Sequence, residues 1–274
     1  MSRAIGTLTG FRRYGGRFVP LTQFGTWNGT ATSAQLVDQF GNPVNSAQPT
    51  AIYRTDWQGQ QLLYPTARTN VCLNSKAFTS ASWYTTNLTP ADNVATAPDG
   101  SLTASTVTVN TVNGQHLIYQ TFSSLSAGTY PATLWCKYVS QQYVSFRLDN
   151  GTLPYCVIDL TTGTVVAGSG VNVITGPNGW WGFQTTRTVG SPPSYMTLDF
   201  MDGASLADFS YTGNGTSQVQ VWEGELLSVG TFGIPIPTTS APVTVTDYTL
   251  SGTTVNLAQA PASTATTQWE GRAT

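Results

Sequence analysis

The side chains with which this chain could do chemistry are few. His116 is the single histidine. Any Ser-His-Asp relay would have to use it, because histidine is the usual general base near neutral pH. It sits in a strand-like run over 116–122, and no Gly-x-Ser-x-Gly elbow accompanies it. It reads as structural. The glutamates are Glu223, Glu225 and Glu270. A glycosidase needs two carboxyl groups about 5–9.5 Å apart, flanking the scissile bond. Glu223 and Glu225, at i and i+2 of a strand, would share a face at about 7 Å. Two groups on one strand cannot easily embrace a sugar ring from opposite sides, so they read as an exposed strand face. Asp199, Asp202 and Asp208 lie around Gly203 and offer oxygen ligands of the kind Ca²⁺ takes. Their spacing fits no EF-hand loop. They read as a solvated loop, with Asp199 and Asp202 as weak calcium candidates. Cys72, Cys136 and Cys156 have no metal spacing and suit small buried hydrophobes in a reducing cytosol. The sequence holds no phosphate-cradling glycine motif. Neither an enzyme nor a cofactor is expected.

Binding chemistry is more promising. The runs 130–139 and 142–149 alternate apolar and polar residues at period two. The short turn at Ser140-Gln141 predicts that they pair as a hairpin. Ala132, Leu134 and Cys136, with Val144, Phe146 and Leu148, then face the core. The opposite face carries Trp135, Lys137, Tyr143, Arg147 and Asp149. A flat aromatic beside hydrogen-bonding groups suits a sugar, whose ring faces stack and whose hydroxyls need directional partners. The same inventory suits a subunit contact, which favours Trp, Tyr and Arg.

The elements that must position these residues read as strands. From residue 70 onward, strand-like runs recur at roughly 8–15 residues with Gly, Asn and Pro between them, and no amphipathic helix interrupts. The fold class is all-β: an antiparallel β-sandwich of jelly-roll type, with an extended N-terminal arm and a small C-terminal β unit. Asp99-Gly100 and Asn214-Gly215 are turn chemistry that supplies positive φ. Residues 155–160 and 165–166 read as a hairpin across Thr161-Thr162-Gly163-Thr164. Trp83, Trp180 and Trp222 are large enough to fill an inter-sheet core, or to form ligand platforms.

Three regions are expected: 1–60 as an arm and docking segment, 61–240 as the jelly roll, and 241–274 as a C-terminal hairpin extension. Pro235, Pro237 and Pro242 mark the last junction. Residues 1–30, Gly-rich with Arg3, Arg12, Arg13 and Arg17, read as a docking arm on a neighbouring subunit. Four arginines without a folded basic face do not predict a nucleic-acid partner.

Composition narrows the function classes. Charged residues make up 9% of the 274, against roughly 25% in an average globular chain. With 40% of residues apolar the chain is not disordered. A surface so poor in charge suits packing against other copies, and a homo-oligomer, most simply a trimer, is expected. The net charge of −2 gives no sign of nucleic acid or membrane surface. No run approaches the ~18 apolar residues of a membrane span, and the N-terminus lacks an apolar signal core. Synthesis in the cytosol without Sec export is expected.

Several segments, in order, resemble a widespread family of bacteriophage virion proteins with a carbohydrate-binding-module-like jelly roll. They are Leu62-Leu63-Tyr64-Pro65-Thr66-Ala67-Arg68-Thr69-Asn70; Asn74-Ser75-Lys76-Ala77-Phe78 with Trp83; Ala97-Pro98-Asp99-Gly100; the strand 130–137; Ile158-Asp159-Leu160-Thr161-Thr162-Gly163-Thr164-Val165; Asn178-Gly179-Trp180; Tyr211-Thr212-Gly213-Asn214-Gly215-Thr216-Ser217 with Trp222; and Ile236-Pro237-Thr238-Thr239. Leu227 and Pro235 depart from the pattern, which usually has Glu and Tyr there. The resemblance implies a structural protein of the virion, made in the bacterial cytoplasm. It would be tail-associated as a fibre or receptor-binding component, contacting other virion proteins through the arm and host surface polysaccharide through the sandwich. The alternatives are a capsid decoration or head-fibre protein, and a carbohydrate-binding module of a polysaccharide-degrading enzyme.

Overall fold

The computed structural model describes side chains over residues 67–246, except 150, 152, 190–193, 229, 231 and 234; beyond it, only strand backbone is described. The chain divides into two compact units, 1–67 with 245–274, and 68–244.

In the first unit the backbone strands are β1 (Phe11–Tyr14), β2 (Arg17–Pro20), β3 (Ser33–Gln35), β4 (Pro49–Asp56) and β5 (Gly59–Leu63). β1 and β2 pair with each other, and β4 pairs with β5 as a hairpin. The rest of the arm expected over 1–30 lies outside the described residues.

The second unit is the sandwich. Its strands are β6 (Ala67–Asn70), β7 (Tyr84–Thr86), β8 (Leu88–Ala95), β9 (Ala104–Val109), β10 (Asn113–Phe122), β11 (Gly128–Tyr138), β12 (Tyr143–Asp149), β13 (Cys156–Asp159), β14 (Thr164–Gly168), β15 (Asn172–Thr175), β16 (Trp180–Val189), β17 (Ser194–Met201), β18 (Ser210–Thr212), β19 (Gln218–Val229) and β20 (Val243–Thr246). One sheet runs β14-β13-β12-β17-β10-β18, with β7 also on β10. The other runs β15-β16-β11-β19-β6-β20, with β9 on β19 and β8 on β9. The two antiparallel sheets pack together as the expected all-β sandwich, jelly-roll-like in architecture.

After it come β21 (Tyr248–Ser251), β22 (Thr254–Leu257) and β23 (Thr266–Gly271). β21 and β22 form the expected C-terminal hairpin. It is not a separate extension: β22 pairs with β3 and β23 with β4, which joins the two ends of the chain in one unit. Such pairings between distant segments leave no local signature in sequence.

The period-two pattern places the core correctly. Ala132, Leu134 and Cys136 of β11, and Val144, Phe146 and Leu148 of β12, all lie in one buried cluster with Ile118, Leu198, Phe200 and Val221. Phe146 and Phe183 approach from the two sheets with ring centroids 6.2 Å apart. Burying one such ring contributes about 1.5–3 kcal/mol.

The pairing expected within 130–149 is overturned. β11 pairs with β16 and β19, whereas β12 pairs with β13 and β17. Residues between them cross from one sheet to the other. The crossing is held by the amides of Ser140 and Gln141, which donate to the Gln218 carbonyl at 3.1 and 3.0 Å. Gln141 Nε2 reaches the Met201 carbonyl of the other sheet at 2.5 Å. A hairpin would leave both apolar faces on one sheet; the crossover lets them face each other.

The expected hairpin across 161–164 forms between β13 and β14, with Thr164 already the first residue of β14. Asp159 Oδ1 accepts from the Thr161 amide at 2.8 Å. Gly163 turns at φ 68° directly against Trp181, where a Cβ would come within 2.4 Å of the ring. Among the described residues no helix is long and apolar enough to cross a membrane.

Candidate functional site

The outer face of the β12-β17-β10 sheet carries a groove. Alternation on β10 sends Ile118 into the core and leaves Leu117 and Tyr119 on the other face. On β17 it turns Met196 and Leu198 into the inter-sheet core and Tyr195, Thr197 and Asp199 to the opposite face, where Thr197 and Asp199 are also buried. Strand register then lines up Tyr84, Tyr119, Thr197 and Arg147 across β7, β10, β17 and β12. In neighbouring rows Tyr195 lies opposite Thr121 and Asp149, and Asp199 lies opposite Leu117 and Ser145. The groove has a volume of about 330 Å³ and is lined by Thr86, Gln115, Leu117, Tyr119, Tyr195 and Thr197, with Arg147 and Gly151 at one end.

Tyr119 and Tyr195 line it, and Tyr84 stands beside it on β7. Tyr84 stacks on Tyr119 with centroids 5.3 Å apart, and Tyr119 meets Tyr195 edge-on at 5.9 Å. Tyr84 is 53% exposed. Beneath them Arg147 is held from several sides. Its Nε and Nη2 donate to Asp199 at 2.8 and 3.3 Å, and its Nη1 donates to Asp149 Oδ1 at 3.2 Å and to the Gly151 carbonyl at 2.6 Å. Burial alone would lower the guanidinium pKa, but Asp199 and Asp149 raise it on balance. Burial raises both carboxyls above their ordinary range, against the pull of Arg147.

The expected five-residue face is divided by this topology. Arg147 and Asp149 belong to the groove. Tyr143 shares their strand face but sits at the far end of β12, opposite Met201 and Asp159. Trp135 and Lys137 lie on the other sheet, on its outer side. Trp135 points away from the inter-sheet core as its alternation requires, yet is only 1% exposed. Its ring lies over Gly176 and Gly182, where an added Cβ would come within 2.7 and 2.9 Å. Trp180 and Trp222 are buried on the same side, their indole N–H groups donating to the Thr96 carbonyl and the Thr103 hydroxyl. The segment 96–103 thus closes over this face. Trp83 joins the inter-sheet core.

The calcium candidates do not converge. Asp199 is engaged by Arg147, while Asp202 and Asp208 shape a turn in which Asp208 accepts from the Ser205 amide at 3.0 Å. Among the described residues no three His, Cys, Asp or Glu side chains group to hold a metal ion. His116 is buried and stacked on Tyr211 at 4.4 Å, and burial lowers its pKa. The three cysteines are free thiols and buried, as expected.

Glu223 and Glu225 are not an exposed face. A bulge in β19 opposite Thr133–Trp135 breaks the alternation, and Glu223 takes φ 49°. Both side chains are buried. Glu225 Oε1 accepts from the Ile236 amide at 3.2 Å, and Glu223 lies 3.4 Å from Lys76, which also covers the Trp222 ring. Burial pushes the Glu223 carboxyl from 4.5 up to about 7, with Lys76 opposing the shift. A raised folded-state pKa means that the folded protein holds a proton the unfolded chain has released. This group's contribution to stability is therefore full below pH 4.5 and is lost as pH rises through 7, by about 3 kcal/mol. Glu223→Gln is expected to remove that part of the slope. Urea unfolding of wild type and variant between pH 5 and 8 measures it; parallel pH curves would refute the assignment.

The groove tyrosines escaped the sequence reading. Both runs holding Tyr119 and Tyr195 are legible as strands, but their adjacency joins β10 to β17 across six intervening strands. The chain matches no protein-family model and no curated protein.

Proposed function

We propose that this chain is a non-enzymatic structural protein of a bacteriophage virion, tail-associated as a fibre or receptor-binding component, and that its sandwich binds host surface glycan. The observation that carries the binding role is the row Tyr84-Tyr119-Thr197-Arg147 on an open sheet face. Aromatic rings supply flat apolar contact for sugar faces, and Gln115, Thr86 and Thr197 supply hydroxyl partners along the same groove. The ordered motifs from Leu62 to Thr239 support the virion context by resemblance.

The groove also supports a non-enzymatic role. The carboxylates beside it, Asp149 and Asp199, share one arginine instead of flanking an open space. Glu223 and Glu225 are buried in the other sheet.

Tyr84→Ala and Tyr119→Ala test the reading. Each is expected to weaken binding to host surface polysaccharide about tenfold, since one aromatic contact contributes about 1 kcal/mol or more. Tyr84→Ala should leave the melting temperature unchanged because its ring is largely exposed. Isothermal titration with purified host polysaccharide reads the effect. Binding equal to wild type in both variants would remove the groove from the glycan reading. Immunogold labelling of intact particles decides tail against capsid.

A further inference from the structure

We propose that the groove selects neutral oligosaccharides and rejects acidic ones; this rests on the glycan-binding reading of the same groove. Arg147 is the one cationic side chain among the lining residues, and a lone arginine in a sugar groove suggests at first an anionic ligand. Its surroundings argue the reverse. The guanidinium is 4% exposed. Its donors already serve Asp199, Asp149 and the Gly151 carbonyl. One positive charge thus faces two carboxylates, and a ligand carboxylate or sulfate would be a third anion around it. Arg187, the next cation that acts on Asp149, lies over the Tyr155 ring at 4.3 Å. It offsets the excess of negative charge without making the floor positive.

The groups left for a ligand suit hydroxyls. Asp149 lies opposite Tyr195, beside the groove, and bonds Arg147 and the Gly151 amide through Oδ1. Gln115 offers both a donor and an acceptor, and Thr86 and Thr197 offer hydroxyls. A sugar hydroxyl donates and accepts, and can satisfy all of these. An anion only accepts, and would meet the Asp149 carboxylate without compensation.

Affinity electrophoresis of the full chain distinguishes the outcomes. The neutral probes are dextran, mannan and galactan beside neutral host polysaccharide; the acidic probes are alginate, polygalacturonate and hyaluronate. Retardation by at least one neutral probe is expected, unchanged between low salt and about 0.5 M salt, and lost in Tyr119→Ala. The acidic probes are expected to leave mobility unchanged. Asp149→Asn, which removes one anion while keeping its shape, is expected to let at least one acidic probe retard the chain. Retardation by acidic probes equal to or stronger than by neutral ones, and lost in Tyr119→Ala, overturns the selectivity while leaving the groove as the binding site. Retardation by no probe, or retardation that Tyr119→Ala leaves intact, overturns the groove reading and the selectivity with it.

Discussion

Trp135→Ala is expected to lower the stability of the sandwich by about 3–5 kcal/mol, comparable to the about 2–5 kcal/mol expected for Leu134→Ala. The two side chains point to opposite faces of β11, and on an ordinary two-layer sandwich only one of them would be buried. Here both are, Leu134 and Trp135 each 1% exposed. Leu134 packs in the inter-sheet cluster. Trp135 lies in a slot made by the absent side chains of Gly176 and Gly182, where its ring would collide with any Cβ. Removing the indole leaves a cavity that the backbone around these glycines cannot refill. A loss of this size corresponds to more than about 6 °C in melting temperature for a unit of this length. Thermal melting of the two variants side by side is the measurement. Gly182→Ala should reproduce part of the Trp135→Ala loss, because the new methyl group meets the Trp135 ring and Ile174. A Trp135→Ala protein that melts with wild type would mean that the 96–103 segment leaves the tryptophan face open in solution, and that face would again be a candidate binding surface.

The Trp135 case shows where the sequence was legible and where it was not. Alternation gave the direction of nearly every side chain on β11 and β12, because the pleat fixes it locally. Asp99-Gly100 and Asn214-Gly215 also form turns as read, with Gly100 at φ 85° and Gly215 at φ 76°. Direction is not exposure. The outer face of β11 is covered by a segment some 35 residues earlier in the chain, and nothing in the period-two pattern reports a third layer. Pairing was illegible for a related reason. A four-residue link between β11 and β12 fits both a hairpin and a crossover, and the choice depends on which faces can be buried together. The groove depends on such choices three times over, since Tyr84, Tyr119, Tyr195 and Arg147 come from four strands. Arg147 and Asp149 were found because they share one strand with readable alternation. Glu223 and Glu225 were misread because a bulge is invisible to a period-two count.

Asp199→Ala is expected to destabilise the sandwich by about 3–5 kcal/mol, the size typical of leaving one member of a buried ion pair alone. Arg147 and Asp199 are each about 4% exposed in their side chains and 2.8 Å apart. The two partners point in opposite senses: Asp199 raises the guanidinium pKa on balance, yet burial raises the Asp199 carboxyl despite Arg147. The carboxyl decides, because arginine does not deprotonate in proteins and its shift changes no population. Burial of the carboxylate, together with the nearby Asp149 charge, outweighs the pull of Arg147, so little net stability is expected from the pair. The double variant Arg147→Met/Asp199→Leu is accordingly expected to recover most of the loss seen in Asp199→Ala. It should also lose polysaccharide binding, because the guanidinium that closes one end of the groove and holds Asp149 beside it is gone. Chemical unfolding and polysaccharide titration on the single and double variants separate the two effects. A double variant that unfolds as readily as Asp199→Ala would assign the pair to stability. Recovery of stability with loss of binding places the pair in the groove's function, as a clamp that fixes Asp149 and the Gly151 carbonyl around one guanidinium while leaving the tyrosine wall open.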